Sequence, residues 1–362
     1  LRYEKIREEK VDSMTAEQQE KLNGLDFMHG GGFFDYLSST KKAKPTDNKV
    51  LFIGLGGKGC TAVAQLKTEI SRQMEVDPVL KRPRNFEYLL VDTAENDLEQ
   101  LRMGGGRLLP MSDGANDQEI CSLYDGNAAA ALRNGSLAPG IEEWINPALR
   151  NSATLAGEGA NGIRQAGRYL LFNNTVLNRL TSLLKAKLKR LHNQIVPGRT
   201  PEQKLLVYII AGVGGGTGSG TVIDIPYIIR ELCRTIGPVK IYGYIFLPDT
   251  YERNDAHIRY NSYAALKEID YLMSLEWAAG GSFHAEYAPN FKVNSSENIF
   301  DSCVLVSGRN DSGAIPNPER YSRRVAVDNI INLVKENYIK DSAGSNQFLV
   351  SSFLDNGLIN VS

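Results

Sequence analysis

The nine residues from 212 to 220 read GVGGGTGSG. Six glycines in nine positions cost backbone entropy on folding and add no side-chain packing, so a simple turn does not explain them. The apolar run from Lys204 to Ala211 comes directly before them and predicts a strand buried on both faces, central in a parallel sheet. A glycine loop between such a strand and a helix favours binding of a phosphate group, because its backbone N–H groups can approach the oxygens closely.

Another glycine loop lies earlier in the chain, where residues 54–61 read GLGGKGCT between a predicted strand at 50–53 and an amphipathic helix. Gly54, Gly56 and Gly59 satisfy the pattern G-x-G-x-x-G, which alone is weakly specific for dinucleotide binding. Lys58 is not followed by serine or threonine, so this is not a Walker A loop. Two glycine loops at the carboxyl ends of parallel strands predict a nucleotide site at that edge of the sheet.

The rest of the chain alternates short apolar runs with amphipathic segments, which is typical of an α/β fold with a mostly parallel sheet and helices on both faces. Leucines recur at sevens in residues 163–192, which predicts one long amphipathic helix. Pro226 falls inside the helix expected after the 212–220 loop, where it would remove one backbone hydrogen bond. The further predicted strands are 86–91, 239–246 and 303–307, and the further predicted helices are 255–276 and 318–338.

The run from Gly214 to Gly220 is identical to the signature motif of the tubulin/FtsZ superfamily. Residues 54–63 resemble the first nucleotide loop of FtsZ, with Lys58 and Cys60 where FtsZ has glycines. The pair at 92–93 resembles the Asn-Thr of its second loop, and 157–161 resemble the loop that contacts the γ-phosphate. The resemblance covers residues 49–334 without 98–156 and is strongest to the divergent prokaryotic tubulin-like group. It implies a Rossmann-like nucleotide-binding domain that uses GTP or GDP.

The resemblance also implies a role for each matched residue. Glycine N–H groups bind the phosphates, Gly159 and Ala160 sense the γ-phosphate, and Mg²⁺ is held through the phosphates with no direct protein ligand. The resemblance assigns Glu252 and Arg253 to the ribose, and Asn310 and Asn329 to the base. Lys58 either adds a cation at the phosphates or points to solvent. The expected nucleotide-binding residues are Gly56, Gly57, Lys58, Gly59, Cys60, Thr61, Asp92, Thr93, Glu158, Gly159, Ala160, Asn161, Gly214, Gly215, Gly216, Thr217, Gly218, Ser219, Glu252, Arg253, Asn310 and Asn329.

In the family, an acidic loop of one subunit completes GTP hydrolysis on its neighbour, so the resemblance implies head-to-tail assembly into filaments. Residues 357–362 resemble the start of that loop, but Ser362 stands at its first acidic position. The co-catalytic acid is therefore missing, lies beyond the given sequence, or is displaced, with Asp355 or Asp341 as candidates. GTPase activity is expected, with its acidic loop not identified.

The chain divides into regions of different texture. Residues 1–48 are charged and polar and are predicted to be an N-terminal extension; 49–340 form the GTP-binding domain. A Gly-, Asn- and Ser-rich stretch at 98–156 is predicted to be an insertion, and 341–362 a C-terminal segment that starts a possibly truncated second domain. The extension and the insertion are candidate surfaces for a protein partner.

Charge and cysteine content exclude several classes of protein. Lys+Arg 41 against Asp+Glu 42 give a net charge of -1, so global charge does not indicate nucleic-acid binding. The four cysteines have no C-x-x-C spacing, which argues against a zinc ribbon or a disulfide framework. No apolar run reaches the ~20 residues that span a bilayer, so we expect a cytoplasmic protein.

Three other functions stay open at this stage. The G-x-G-x-x-G pattern would suit a Rossmann-type NAD-dependent oxidoreductase, although the 212–220 loop argues against it. A non-polymerising regulatory or defence-complex component would use nucleotide only to shape a partner surface. The basic run at 185–190 would suit a DNA-segregation filament, and a solvated helix face explains it equally well.

Overall fold

The strand predicted before the 212–220 loop lies at the centre of a parallel sheet. β4 (Leu205–Gly212) is buried at every position. It pairs in parallel with β1 (Lys49–Leu55) on one side and with β5 (Val239–Phe246) on the other. A strand with no polar face must be covered on both sides, which explains its central place.

Four more strands complete this sheet, all parallel to their neighbours: β2 (Phe86–Asp92), β3 (Ile120–Ser122), β8 (Ser302–Val306) and β11 (Leu358–Val361). The strand order is β11-β8-β5-β4-β1-β2-β3. The α/β fold with a mostly parallel sheet is therefore confirmed. The structure is a computed structural model that describes residues 42–105, 107–112, 114, 117–135, 140–151, 159–194, 204–253, 255–277, 280–310, 313–335 and 358–361.

Helices cover both faces of the sheet. They are α1 (Gly56–Gln73), α2 (Glu95–Met103), α3 (Gly126–Asn134), α4 (Arg164–Tyr169), α5 (Asn174–Asn193), α6 (Gly216–Thr221), α7 (Asp224–Cys233), α8 (Ala256–Leu272) and α9 (Pro318–Leu333). Side chains alternate along β1, so Leu51 and Ile53 pack in one apolar layer with α5 and α7, whereas Val50 and Phe52 pack in the other with α1 and α9. Two antiparallel pairs lie outside this sheet, β6 (Phe283–Ala288) with β7 (Phe291–Ser295) and β9 (Arg309–Asn310) with β10 (Gly313–Ala314).

The prediction of one helix over 163–192 is wrong. The segment forms α4, a 3₁₀ turn at Leu170–Phe172, and then α5. Asn173 breaks it, because its side chain accepts hydrogen bonds from Thr175 N (2.9 Å) and Val176 N (3.2 Å) and thereby caps α5. Because the leucine spacing continues across the break, the spacing alone does not reveal that one helix ends and another begins.

An interruption between two helices also accommodates Pro226. α6 ends at Thr221 and α7 begins at Asp224, so the proline lies in the first turn of a new helix. N–H groups of a first turn have no partner within their helix, so Pro226 removes no hydrogen bond there.

The stretch predicted as an insertion belongs partly to the core. Its residues 120–122 form β3, the edge strand beside β2, and Leu98 and Met111 are buried in the layer that packs on α1. The apolar patches of residues 98–156 are short, so the sequence resembles a loop. In the structure they pack against β2 and the layer beside α1.

The segment 358–361 forms β11, paired in parallel with β8. The described part of it is thus an edge strand, whereas we predicted the start of an acidic loop. Leu358, Ile359 and Val361 are apolar, two of them β-branched, and suit a strand.

Candidate functional site

A cleft of about 280 Å³ opens at the carboxyl ends of β1, β2 and β4. Both predicted glycine loops contribute to it, together with the residues that follow β2 and the segment before α4. The lining residues are Gly56, Gly57, Lys58, Asp92, Thr93, Ala94, Asp97, Gly159, Ala160, Asn161, Gly212, Gly215, Gly216, Thr217, Gly218 and Tyr251.

The two glycine loops touch each other through their backbones. Gly56 has a φ of +68°, and a Cβ atom there would lie 2.8 Å from Gly218 N. A Cβ on Gly218 would in turn clash with Gly212 O, and one on Gly59 with Ile210 O. These glycines are therefore required by the fold, since the loops approach too closely for any side chain.

Gly215 differs from these glycines. A Cβ at Gly215 would meet no atom within 4 Å, and its backbone angles, φ -83° and ψ 171°, suit any residue. It is the N-cap of α6, whose first N–H groups have no partner within the helix and carry partial positive charge. The open space beside Gly215 is thus where an anionic group can reach backbone donors.

Thr93 joins the three loops around the cleft. Its Oγ1 accepts a hydrogen bond from Ala160 N at 2.8 Å and lies 2.6 Å from Thr217 Oγ1. Asp92 accepts from Thr93 N at 2.7 Å, which fixes the turn after β2. One buried hydroxyl therefore connects Ala160, in the described part of the loop predicted at 157–161, to Thr217 of the 212–220 loop.

Two carboxylates lie on the same side of the cleft. A Cβ on Gly57 would stand 3.9 Å from Asp97 Oδ2 and 4.0 Å from Asp92 Oδ2. Burial raises the pKa of Asp92, a shift that hydrogen bonds from Thr217, Thr93 and Ala94 oppose. Asp92 is only 3% exposed, and no basic side chain contacts it among the described residues.

Tyr251 packs over the start of the 212–220 loop. Its hydroxyl accepts a hydrogen bond from Gly214 N at 3.0 Å, and burial raises its pKa to about 12. Only glycine fits at positions 212 and 214, because a Cβ at either position would overlap the Tyr251 side chain. The tyrosine therefore occupies one end of the loop and leaves Gly215 open.

Lys58 points neither to the open cleft beside Gly215 nor to solvent. Its Nζ donates to Thr250 O at 2.8 Å, pairs with Glu319 at 3.3 Å, and lies 4.1 Å from the centre of the Tyr251 ring. Burial lowers the Lys58 pKa, although Glu319 opposes this. Lys58 thus connects α1 to the segment after β5 and to α9.

Asn261 of α8 makes a further connection. Its Nδ2 donates to Gly162 O at 2.7 Å and to Gly214 O at 3.0 Å, joining the segment before α4 to the 212–220 loop. The sequence gives no local signal for this role, because the two acceptors are backbone atoms distant in the chain.

The structure brings many of the predicted residues together at the cleft: Gly56, Gly57, Lys58, Asp92, Thr93, Gly159, Ala160, Asn161, Gly215, Gly216, Thr217 and Gly218. Sequence reasoning missed Ala94, Asp97 and Tyr251, and it placed Gly212 in the predicted loop without assigning it to the nucleotide. Gly212 and Tyr251 carried a signal, because they adjoin the predicted motif 214–220 and the predicted pair 252–253. Asp97 enters from the first turn of α2, and its contribution depends on tertiary packing.

Other predicted residues stand outside this lining. Cys60 is buried beneath β1 and β2, where its Sγ lies 3.4 Å from Gly54 O. Thr61 and Ser219 bond to carbonyls one turn earlier in their helices, Gly57 O and Gly215 O. Gly59 and Gly214 pack against neighbouring chain segments.

The predicted ribose and base residues also lie away from the described lining. Glu252 and Arg253 are exposed directly after Tyr251, and Asn329 Oδ1 accepts a hydrogen bond from Tyr244 at 2.6 Å. Asn310 belongs to β9. Glu158 and the catalytic candidate Asp355 lie outside the described residues.

Within the described ranges, no three His, Cys, Asp or Glu side chains are grouped to hold a metal ion. All four cysteines are buried and unpaired. None of the described helices combines the length and apolar character needed to cross a bilayer.

One solved structure shows the same fold, and two others are reported beside it as similar. A helical model of the TubZ-Bt two-stranded filament matches with a TM-score of 0.51 at 15% identity, covering 89% of this chain and 63% of that one. CetZ2 from Haloferax volcanii, a GTPγS-bound protofilament, matches at 0.45 and 15%, covering 86% and 64%. GDP-form protofilaments of Bacillus thuringiensis serovar israelensis TubZ match at 0.49 and 14%, covering 91% and 66%. The chain spans a little under two thirds of the length of CetZ2 and TubZ-Bt.

Sequence comparison assigns the family. No curated protein sequence matches the chain. A family model described as "Tubulin like" matches residues 51–353, which is most of the chain and includes both glycine loops and the cleft between them. The chain therefore belongs to the tubulin-like family.

Proposed function

We propose that this protein binds a guanine nucleotide, GTP or GDP, with the phosphates in the cleft at the carboxyl ends of β1, β2 and β4. One observation carries the proposal. Among closely packed glycines, Gly215 alone faces open space within the 212–218 loop, at the N-terminus of a helix. A glycine that the packing does not require is explained by a ligand that occupies the space of its missing side chain.

The chemistry of the lining suits phosphate. Backbone N–H groups of Gly216, Thr217 and Gly218 belong to the first turn of α6. Such donors bind anions without the entropy cost of ordering long side chains. Lys58, the cationic side chain of the described lining, is held by Thr250 and Glu319, so the backbone would provide the binding.

Two carboxylates fit a magnesium ion that accompanies the phosphates. Asp92 and Asp97 both approach Gly57, and the raised pKa of Asp92 reflects a buried carboxylate without a neighbouring cation. Bound Mg²⁺ would neutralise charge on the phosphate oxygens. The two aspartates would hold it from the protein side, directly or through water, whereas the resemblance to the family implied that the phosphates alone hold the ion.

Family membership supports the ribose and base contacts. Glu252 and Arg253 follow Tyr251, which lines the cleft, and remain our proposed ribose residues. Asn310 and Asn329 remain our proposed base residues, with the condition that Asn329 exchanges its hydrogen bond from Tyr244 for one to the base.

Assembly follows from the same family. The similar structures include protofilaments of TubZ and CetZ2, and we propose that this chain also assembles head to tail, in the cytoplasm of a prokaryote. A head-to-tail contact uses two different surfaces and does not close, so it produces filaments. We propose GTP hydrolysis at the subunit interface, completed by an acidic residue contributed by the neighbouring subunit.

The test is to purify the protein, identify the nucleotide that elutes with it, and follow light scattering and electron micrographs after adding GTP or ATP. We expect a guanine nucleotide and GTP-dependent filaments. Bound NAD, or no bound nucleotide, would contradict the nucleotide proposal. Bound GTP in a stable complex with another protein, without filaments, would instead support the non-polymerising alternative.

A further inference from the structure

The helix α8 exposes an aromatic face. Among the described residues, the large apolar or aromatic side chains that stand exposed are Val79, Met103, Tyr260, Tyr263, Tyr271 and Trp277. Four of these six lie on α8 or in the turn that follows it, and they are 54–78% exposed. Tyrosine and tryptophan clustered in this way are typical of protein interfaces.

These side chains lie on the face opposite the core. α8 buries Ile258, Ser262, Ala265, Ile269 and Leu272. Tyr260, Tyr263, Lys267 and Tyr271 are spaced three, four and four residues apart and form the opposite stripe. Packing of α8 on its own domain therefore does not explain them.

Two opposite charges border this stripe. Arg259 and Asp270 are exposed and eleven residues apart, which is three helical turns, so they lie along one line of the helix. In the described ranges, neither of them nor Lys267 forms an ion pair within the chain.

The face is complementary to itself. Arg259 with Asp270, Tyr260 with Tyr271, and Tyr263 with Lys267 are three pairs whose midpoints all fall within one residue of Ala265. A two-fold axis at Ala265 would place each residue opposite the second member of its pair. It would join arginine to aspartate twice, tyrosine to tyrosine, and an ammonium group to an aromatic ring.

We propose that α8 binds α8 of a second copy of this chain in an antiparallel, two-fold symmetric contact. Each fully buried aromatic side chain removes about 150–250 Å², and more than half of each tyrosine of the stripe is exposed, so the three tyrosines offer roughly 300–500 Å² per chain. The pair would bury about twice that area through these side chains, and the bordering charged side chains add to it, which is the size of a weak, transient interface. This contact uses side chains that do not line the nucleotide cleft, and it differs from a head-to-tail contact because both copies use the same surface.

Charge reversal tests the proposal on the full chain. Sedimentation equilibrium without nucleoside triphosphate should show a monomer–dimer equilibrium. Arg259→Asp and Asp270→Arg should each weaken it at least about tenfold, because each creates two like-charge contacts. A mixture of the two variants should restore it as a heterodimer, and so should the double reversal in one chain. Lys189→Asp, an exposed reversal on α5, is the control and should change nothing.

The restoring mixture shows that both single variants are folded. A wild-type chain that stays monomeric at several hundred micromolar overturns the proposal. So does a dimer that either reversal leaves unchanged. Loss in both single variants without recovery in the mixture also overturns it, since that result indicates a different partner or register.

Discussion

The two ends of the central sheet are built from different residues: glycine loops lie at the carboxyl end, and buried, paired charges lie at the amino end. At the carboxyl end, the loops after β1 and β4 are glycines, and their backbones meet directly. At the amino end, Glu87 of β2 is 1% exposed and forms ion pairs with Arg82, Lys187 and Arg190. Nearby, Lys67 pairs with buried Glu119 at 2.5 Å.

The comparison assigns stability to the amino end of the sheet and, in our proposal, ligand binding to the carboxyl end. The buried charges at the amino end are paired within the protein, so this end needs no ligand and holds the layers together. At the carboxyl end, open space lies beside Gly215, the N-cap of α6. One end is complete in the free chain, whereas the other has the open space that our proposed ligand would occupy.

The largest expected effect is at the amino end. Glu87→Ala leaves three cations without their shared carboxylate, two of them buried, and should reduce the free energy of unfolding by about 3–5 kcal/mol. Urea denaturation followed by circular dichroism measures it. The matched control is Lys187→Met, which leaves Glu87 paired with Arg82 and Arg190 and should cost about 1 kcal/mol or less. Equal losses in the two variants would contradict the role assigned to Glu87.

The next effect is at the carboxyl end. Gly215→Val places a side chain in open space, so the unfolding midpoint should stay within a few degrees of wild type. Nucleotide affinity should fall at least about 100-fold, because the valine occupies the proposed phosphate position. Gly105→Val, at an exposed glycine with equally open surroundings, is the control and should bind normally. Unchanged affinity in Gly215→Val would show that the ligand lies elsewhere.

A smaller effect is expected at Thr93, which serves both binding and stability. Thr93→Val removes the hydroxyl that accepts from Ala160 N and contacts Thr217. A buried N–H left without its partner costs about 1–3 kcal/mol. Nucleotide affinity should also fall about tenfold, since the segment at Ala160 and the 212–220 loop are no longer held in their relative positions. Thr93→Ser retains the hydroxyl and should recover most of the stability and most of the nucleotide affinity. A serine variant as impaired as the valine variant would refute the hydrogen-bond explanation.

The smallest effect concerns pH. Burial raises the pKa of Asp92, so in mildly acidic solution more of this carboxyl is protonated than for an exposed aspartate, and a protonated carboxyl does not bind Mg²⁺. The gain in nucleotide affinity produced by Mg²⁺ should therefore grow a few-fold as pH rises through this raised pKa. Titrations with and without Mg²⁺ measure the gain, and Asp92→Asn should make it independent of this titration. A pH-dependent gain that persists in Asp92→Asn would assign the effect to another group.

The central features of the fold were predictable from the sequence because they depend on local composition. An uninterrupted apolar run placed β4 at the centre of the sheet, and adjoining glycines placed the loops at its carboxyl edge. The break at Asn173 was missed because the leucine spacing continues across it. β3 was missed because its few residues are strand-like only beside β2.

The site was predictable where its residues act through the backbone and less so where side chains reach across the fold. The glycine motifs predicted the glycine lining of the cleft directly. The orientation of Lys58 toward Thr250 and Glu319, the hydroxyl of Tyr251 and the entry of Asp97 all depend on packing between segments distant in sequence. Such contacts leave no periodic signal in one sequence.

Equilibrium binding of nucleotides to the wild-type chain tests the central claim most directly. Calorimetric titration with GTPγS, ATPγS and NAD in parallel should show one site per chain for GTPγS, and at least about tenfold weaker binding of the other two. That binding should be absent in Gly215→Val and present in Gly105→Val. GTPγS binding that is undetectable in the nucleotide-free wild type, or equal in both glycine variants, would contradict the assignment of the carboxyl-end cleft.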